Sequence, residues 1–287
     1  MKDVLPAKVS TPVTVRRPTR RVRPIAEPKL PSVSLIQKGR ILVIVIAFIS
    51  WEVLSRWGIL DPFFWSSPSA VAANFVALVQ NGKFLTDISF TFQATILGFI
   101  LGTVLGAVIG LSFWWSRTYA EIAEPYLVTL QALPKLALAP ILIIAFGIGL
   151  SSKVAIAILL TVTVTAIAAY SGVRSVDHDL QRMLYSLGAS RWQVFTKVVV
   201  PWSMPWIFSS LRMNIGLALT GAIVGEYISS QHGLGHVLMT ATMTFDMGQI
   251  WVAVLTLSVM SMVMYWFVSW IESRLSQRFG FTPSDAV

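Results

Sequence analysis

Residues 88–113, 154–173 and 250–270 each run for twenty or more positions without one Asp, Glu, Lys or Arg. Coiled into a helix at about 1.5 Å per residue, a run of that length matches the ~30 Å hydrocarbon core of a bilayer. The apolar residues are continuous rather than alternating, which argues against the in–out pattern of a transmembrane barrel. Of the 287 residues 55% are hydrophobic and 12% charged, against about 45–50% and about 25% in soluble domains. The chain reads as an all-α integral membrane protein.

Six transmembrane helices are expected. The first covers residues 35–60 and holds Glu52 and Arg56 near its far end, acid first and four residues apart, the favourable order for a helical ion pair. Residues 61–86 follow as an external segment with one interfacial helix. There Ser67 can cap, Pro68 fits the first turn, Val71, Phe75, Leu78 and Val79 share a face, and Gly82 stops the helix. Residues 87–272 form a five-helix core. Its first helix sets Gly98, Gly102, Gly106 and Gly110 at four-residue spacing, three small-xxx-small steps that let another helix backbone approach closely. Trp114 and Trp115 then mark a membrane interface. The next span, 126–146, is interrupted by Pro134 and Pro140, with Lys135 between them. Prolines free backbone carbonyls, which at membrane depth need protein or a water-lined cavity to satisfy them. An ionisable residue there is a functional candidate by default, and Lys135 either lines a pathway or snorkels to the inner surface. With Lys135, Gln131, Arg212, Asn214 and Glu226 are the candidate pathway residues, Glu226 capping or gating the outer end.

Charge fixes an expected orientation. Residues 1–40 hold ten Lys/Arg against Asp3 and Glu27, and six prolines fall among them. Residues 1–34 therefore read as a disordered basic arm, and residues 273–287 as a short polar tail. Seventeen Lys/Arg lie on the side of the two termini, which also holds residues 174–205; the opposite loops hold Lys83 and Lys153. The positive-inside rule puts both termini and that loop in the cytoplasm. The net charge of +9 is thus a property of the arm and carries no argument for nucleic acid.

The catalytic signatures sought are missing. No G-x-x-x-x-G-K-[ST] is present to cradle phosphates, no HExxH, and no G-x-S-x-G. There is no cysteine, and His232 and His236, four apart, have Gly233 and Gly235 between them, which breaks the helix that a metal pair would need. No metal site and no catalytic residue is expected, and the chain does not read as an enzyme.

The polar island at 184–205 remains. Gly188, Ala189 and Ser190 are followed by Val198, Val200 and Pro201 at ten, twelve and thirteen residues after the glycine, with Arg191, Trp192 and Lys197 between. This pattern resembles the cytoplasmic coupling loop of binding-protein-dependent ABC importer permeases, described as E-A-A, three residues, G, nine residues, I-x-L-P. The chain departs from it at Arg182, Met183 and Leu184, which stand where the acidic-small-small triplet is usual. SSPSAV, LPKLALAPILIIAFGIG, GASRWQVF and VGEYISSQHGLG are similar to the nitrate/sulfonate/taurine branch.

The resemblance implies a type I importer fold and a dimer of permeases. It further implies two cytoplasmic ATPase subunits that bind ATP and magnesium, and a solute-binding protein outside, with no cofactor in this chain. Leu184, Gly188, Ala189, Ser190, Arg191, Trp192, Val198 and Pro201 would form the loop that meets the ATPase. The expected cargo is a small anion such as nitrate, a sulfonate or taurine, moved across the inner membrane. The alternatives are a pyrimidine or other heterocyclic vitamin precursor, a proton-coupled secondary transporter using Glu226 or Lys135, and a membrane scaffold independent of ATP.

Overall fold

The structure, a computed structural model, describes residues 33–278. The expected basic arm up to residue 32 and the tail from 279 onward lie outside the described residues. The described residues are helical, with no strand among them. Two units are distinguished, residues 1–47 and 48–287.

In chain order the helices are α1 (Val33–Arg56), α2 (Pro62–Trp65), α3 (Pro68–Gln80), α4 (Lys83–Ser112), α5 (Arg117–Ala132), α6 (Ala139–Phe146), α7 (Leu150–Arg174), α8 (His178–Ser186), α9 (Arg191–Val194), α10 (Val200–Ile228), α11 (Leu234–Met243) and α12 (Met247–Arg278). Tight 3-10 turns at Phe113–Trp115 and Lys135–Leu138 and a π-helical turn at Phe195–Val199 join neighbouring pieces.

Among the described residues four helical segments are long and apolar enough to cross a membrane: Lys83–Trp115, Leu150–Arg174, Arg191–Ile228 and Met247–Ser276. α5 and α6 form a fifth only if taken together across a bend of 84°. The bend falls where Pro134 and Pro140 interrupt the sequence, Pro140 occupying the first turn of α6. α1 does not join these four. Of the six expected crossings, four or five meet the criterion of length and composition among the described residues.

α7 is the centre of the bundle. On one side the glycine row of α4 presses into it: a Cβ added at Gly98, Gly102, Gly106 or Gly110 would overlap Ala157, Thr161, the Val162 carbonyl or the Ala166 carbonyl. On the other side α10 also approaches closely. A Cβ at Gly221 would come 2.8 Å from Ala157 Cα, and one at Gly172 would come 2.8 Å from Ser203 Cα. Small residues on both seams let three backbones share one layer, which maximises dispersion contact where lipid offers no hydrophobic drive between helices. Between them Asn214, fully buried, donates to Thr165 Oγ1 at 2.5 Å and Thr103 Oγ1 at 3.2 Å.

α3 has the start expected of it: Ser67 Oγ accepts from the Ala70 amide at 3.2 Å, with Pro68 in the first turn and Gly82 left-handed at φ +72°. Val71 is buried and Leu78 and Val79 pack beside it, while Phe75 stays exposed. Glu52 pairs with Arg56 at 2.7 Å and also accepts from Ser69 N at 3.0 Å, tying the end of α1 to the start of α3.

Candidate functional site

The island at 184–205 folds by rules local to its own sequence. α8 opens at Asp177, whose side chain accepts from Asp179 N at 2.7 Å. It closes at Leu187 with a paired bond pattern: Ala189 N donates to Leu184 O at 3.0 Å and Gly188 N donates to Tyr185 O at 3.0 Å. That closure needs a left-handed residue, and Gly188 has φ +81°. No atom lies within 4 Å of a Cβ added there, so the backbone angle, not crowding, calls for glycine.

Two residues later the next helix begins. Ser190 Oγ accepts from Gln193 N at 3.3 Å while Gln193 Oε1 accepts from Ser190 N at 2.7 Å, a reciprocal capping box. The π-helical turn Phe195–Val199 then leads to Pro201 in the first turn of α10. Proline has no N–H, and its ring crowds the carbonyl four residues back, so a widened turn ahead of it is the low-strain solution.

The loop has two faces. Leu184, Ala189 and Val198 pack against a buried cluster of Val176, Val194 and Val199. Leu187 and Trp192 lie outside that cluster, 75% and 60% exposed. Arg182, in the place of the usual acidic residue, lies on α8 3.6 Å from Asp179.

At the other end of α10 the backbone turns back into α11 over a buried carboxylate. Glu226 is fully buried, and its Oε2 accepts from Thr91 Oγ1 of α4 at 2.8 Å and from Gly235 N at 2.9 Å. Asp87 Oδ1 accepts from Gly233 N at 2.8 Å, and Thr91 Oγ1 accepts from Leu234 N at 2.8 Å. The free amides at the start of α11 are thus met by two carboxylates and a hydroxyl, the sign that a helix N-terminus favours. Gly233 (φ +106°) and Gly235 are required by space as well: a Cβ on Gly233 would overlap the Glu226 carboxylate, and one on Gly235 would come 2.5 Å from Ile223 O.

Lys153 completes this junction. Read from sequence as a loop cation, it lies in the first turn of α7 and is fully buried. Its Nζ donates to Ile148 O at 2.7 Å and to Ser229 O, the residue that ends α10. A cation at one helix end and an anion at the next helix start complement both dipoles across a single turn.

The remaining pathway candidates are not gathered at one point. Lys135, at the break between α5 and α6, is half-buried and donates to Thr163 Oγ1 of α7 at 2.6 Å. Gln131 is exposed near the end of α5. Arg212 turns to α12, where its guanidinium grips Glu272 through two bonds of 2.5 and 2.7 Å. Asn214 belongs to the helix seam. Sequence reasoning missed Asp87, Thr91 and Lys153 as members of the junction around Glu226. The run from 225 to 235 marked the junction, but its partners lie far away along the chain.

These features can be compared with known proteins. Residues 98–277 match the model of the family described as binding-protein-dependent transport system inner membrane component. The chain belongs to this family. A bacterial ABC transporter involved in the import of the acidic polysaccharide alginate has the same fold at TM-score 0.60 and 15% identity, over 85% of this chain and 96% of that one. Among its relatives this permease is 31% identical to the riboflavin transport system permease protein RibX of Chloroflexus aurantiacus, over 91% of this chain and 96% of the relative. It is 29% identical to the formylaminopyrimidine transport permease protein ThiX of Halalkalibacterium halodurans, over 82% and 93%. It is also 27% identical to the putative aliphatic sulfonates transport permease protein SsuC of Bacillus subtilis, over 83% and 86%. The permease is thus a membrane component of an importer that works with an ATPase and a solute-binding protein.

Proposed function

We propose that two copies of this permease form the membrane pathway of an ATP-driven importer for a small anionic solute. In this reading the loop at 184–205 docks the ATPase on the cytoplasmic side, and the ATP and magnesium are held by that partner. The observation that supports docking is the preformed turn at Gly188 with Leu187 and Trp192 exposed beside it. An exposed tryptophan on a rigid turn is a residue type suited to anchoring a partner. ATPase closure would then displace the loop and rock the spans around the pathway.

The anion reading is supported by Lys135. It is a half-buried cation at the broken span, and its Thr163 partner is neutral, leaving its charge available to a solute group. Arg212 gives no such support, because Glu272 neutralises it. A second reading, a heterocyclic solute of the riboflavin or pyrimidine type, is favoured by the similarity to RibX and ThiX.

The permease reconstituted with its ATPase and binding protein distinguishes the two. ATP-dependent accumulation of an alkanesulfonate and not of riboflavin or formylaminopyrimidine is the expected result. Uptake of a heterocycle alone would select the second reading, and uptake driven by a proton gradient without the ATPase would overturn both.

A further inference from the structure

A docking loop must hand its displacement to the spans. By covalent connection this one does so through α8 to α7 and through the π-helical turn to α10. A third route is made by side chains. Arg191, the first residue of α9, reaches over the turn Phe113–Trp115 that ends α4. Its Cζ lies 5.3 Å from the ring centroid of Trp114 and 5.2 Å from that of Trp115. Its Nη2 donates to the Trp115 carbonyl.

The neighbours of Arg191 rest on the same bed. Trp192 stacks on Trp115 at 6.0 Å and 25°, and Phe195 lies 5.4 Å and 5.3 Å from the Trp114 and Trp115 rings. From the other side of Gly188, Gln181 of α8 accepts from Trp114 Nε1 at 3.3 Å. Trp114 and Trp115, read from sequence as membrane-interface markers, are therefore the floor on which both halves of the loop sit.

The chemistry suits arginine in particular. A planar guanidinium can lie against aromatic faces and still direct an N–H in its own plane. The carbonyls at the end of a helix lack intrahelical donors, and the negative end of the α4 dipole favours a cation there. A lysine would keep the charge but not the flat, two-way contact.

We propose that Arg191 is a positioning residue for energy coupling: it fastens the docking loop to the end of α4, so that the loop, α4 and the glycine seam to α7 move as one block. This rests on the reading of 184–205 as the ATPase-docking loop.

The test uses the absence of cysteine from the chain. Thr196→Cys in the loop and Val108→Cys on α4, both at exposed positions, are spin-labelled in the permease–ATPase complex. The distance between them is measured without nucleotide and after trapping with MgATP and vanadate. With Arg191 present, the expected change stays within the ~1–2 Å of helix sliding at an interface. With Arg191→Ala it should exceed that and broaden, and Arg191→Lys should recover at least half of the difference. An unchanged narrow distance in Arg191→Ala overturns the inference. Loss of ATPase co-purification in Arg191→Ala overturns it too, since Arg191 would then be part of the docking contact itself. Leu187→Asp separates the two claims. If the ATPase still co-purifies with that variant, the docking reading fails and takes the inference with it. If co-purification is lost while Arg191→Ala keeps the short distance, only the role of Arg191 fails.

Discussion

Glu226 Oε2 on α10 and Thr91 Oγ1 on α4 lie 2.8 Å apart, joining residues 135 positions distant in sequence. Around that contact the start of α11 is held by carboxylates and the end of α10 by an ammonium. A buried acid therefore acts here as backbone for its neighbours. Its counter-charge, Lys153, comes from the first turn of α7, so four helices meet at one turn.

Removing one member of that set should be worse than removing both. Lys153→Met removes the donor shared by the Ile148 and Ser229 carbonyls, a loss of about 1–3 kcal/mol, and takes the cation away from the buried Glu226. The double variant Lys153→Met/Glu226→Gln carries no net charge and should be more stable than Lys153→Met alone. Thermal unfolding in detergent reads the difference; a double variant with strictly additive loss would remove the charge argument.

The α4–α7 seam predicts a size exchange. Gly98→Ala introduces a Cβ into the space of Ala157 and should cost about 1–3 kcal/mol by overpacking. Adding Ala157→Gly should return part of that loss, because the two positions trade one methyl across the same contact. Melting temperatures of the four proteins form the cycle.

At Gly188 the cost is conformational. A β-branched residue held at φ +81° is strained by about 1–3 kcal/mol, so Gly188→Val should unwind the end of α8 and uncouple transport while the protein still inserts. Gly188→Asn, whose side chain tolerates left-handed geometry, should be milder. Wild-type stimulation of the ATPase by Gly188→Val would sink the coupling role of the turn.

Lys135 offers a test that separates charge from structure. Lys135→Arg should retain uptake of an anionic solute, whereas Lys135→Met should reduce it about tenfold, the ~1.4 kcal/mol scale of one lost ionic contact. Equal uptake in both variants would remove Lys135 from the pathway.

The glycine row at 98–110, the bend at Pro134 and the turn at Gly188 were legible in sequence because each depends on local chemistry: a period of four, a missing donor, a positive φ. The span ends were less so. α12 continues to Arg278 beyond the uncharged run, since charged residues end hydrophobicity without ending a helix. Lys153 shows the other limit. A lysine beside a predicted turn looks like a loop cation, and nothing nearby reveals that carbonyls of residues 148 and 229 converge on it. Arg212, expected in the pathway, is likewise bound elsewhere, because its partner Glu272 sits in another helix at a distance of 60 residues.

The closure of α8 and the capping box of α9 are made entirely from bonds within residues 184–193. The turn is thus specified separately from whatever its outward side chains touch. Leu187 can diverge without disturbing the frame that presents it, so under the proposed docking an importer lineage could exchange its ATPase partner by rewriting outward surface positions and leaving the turn as it is.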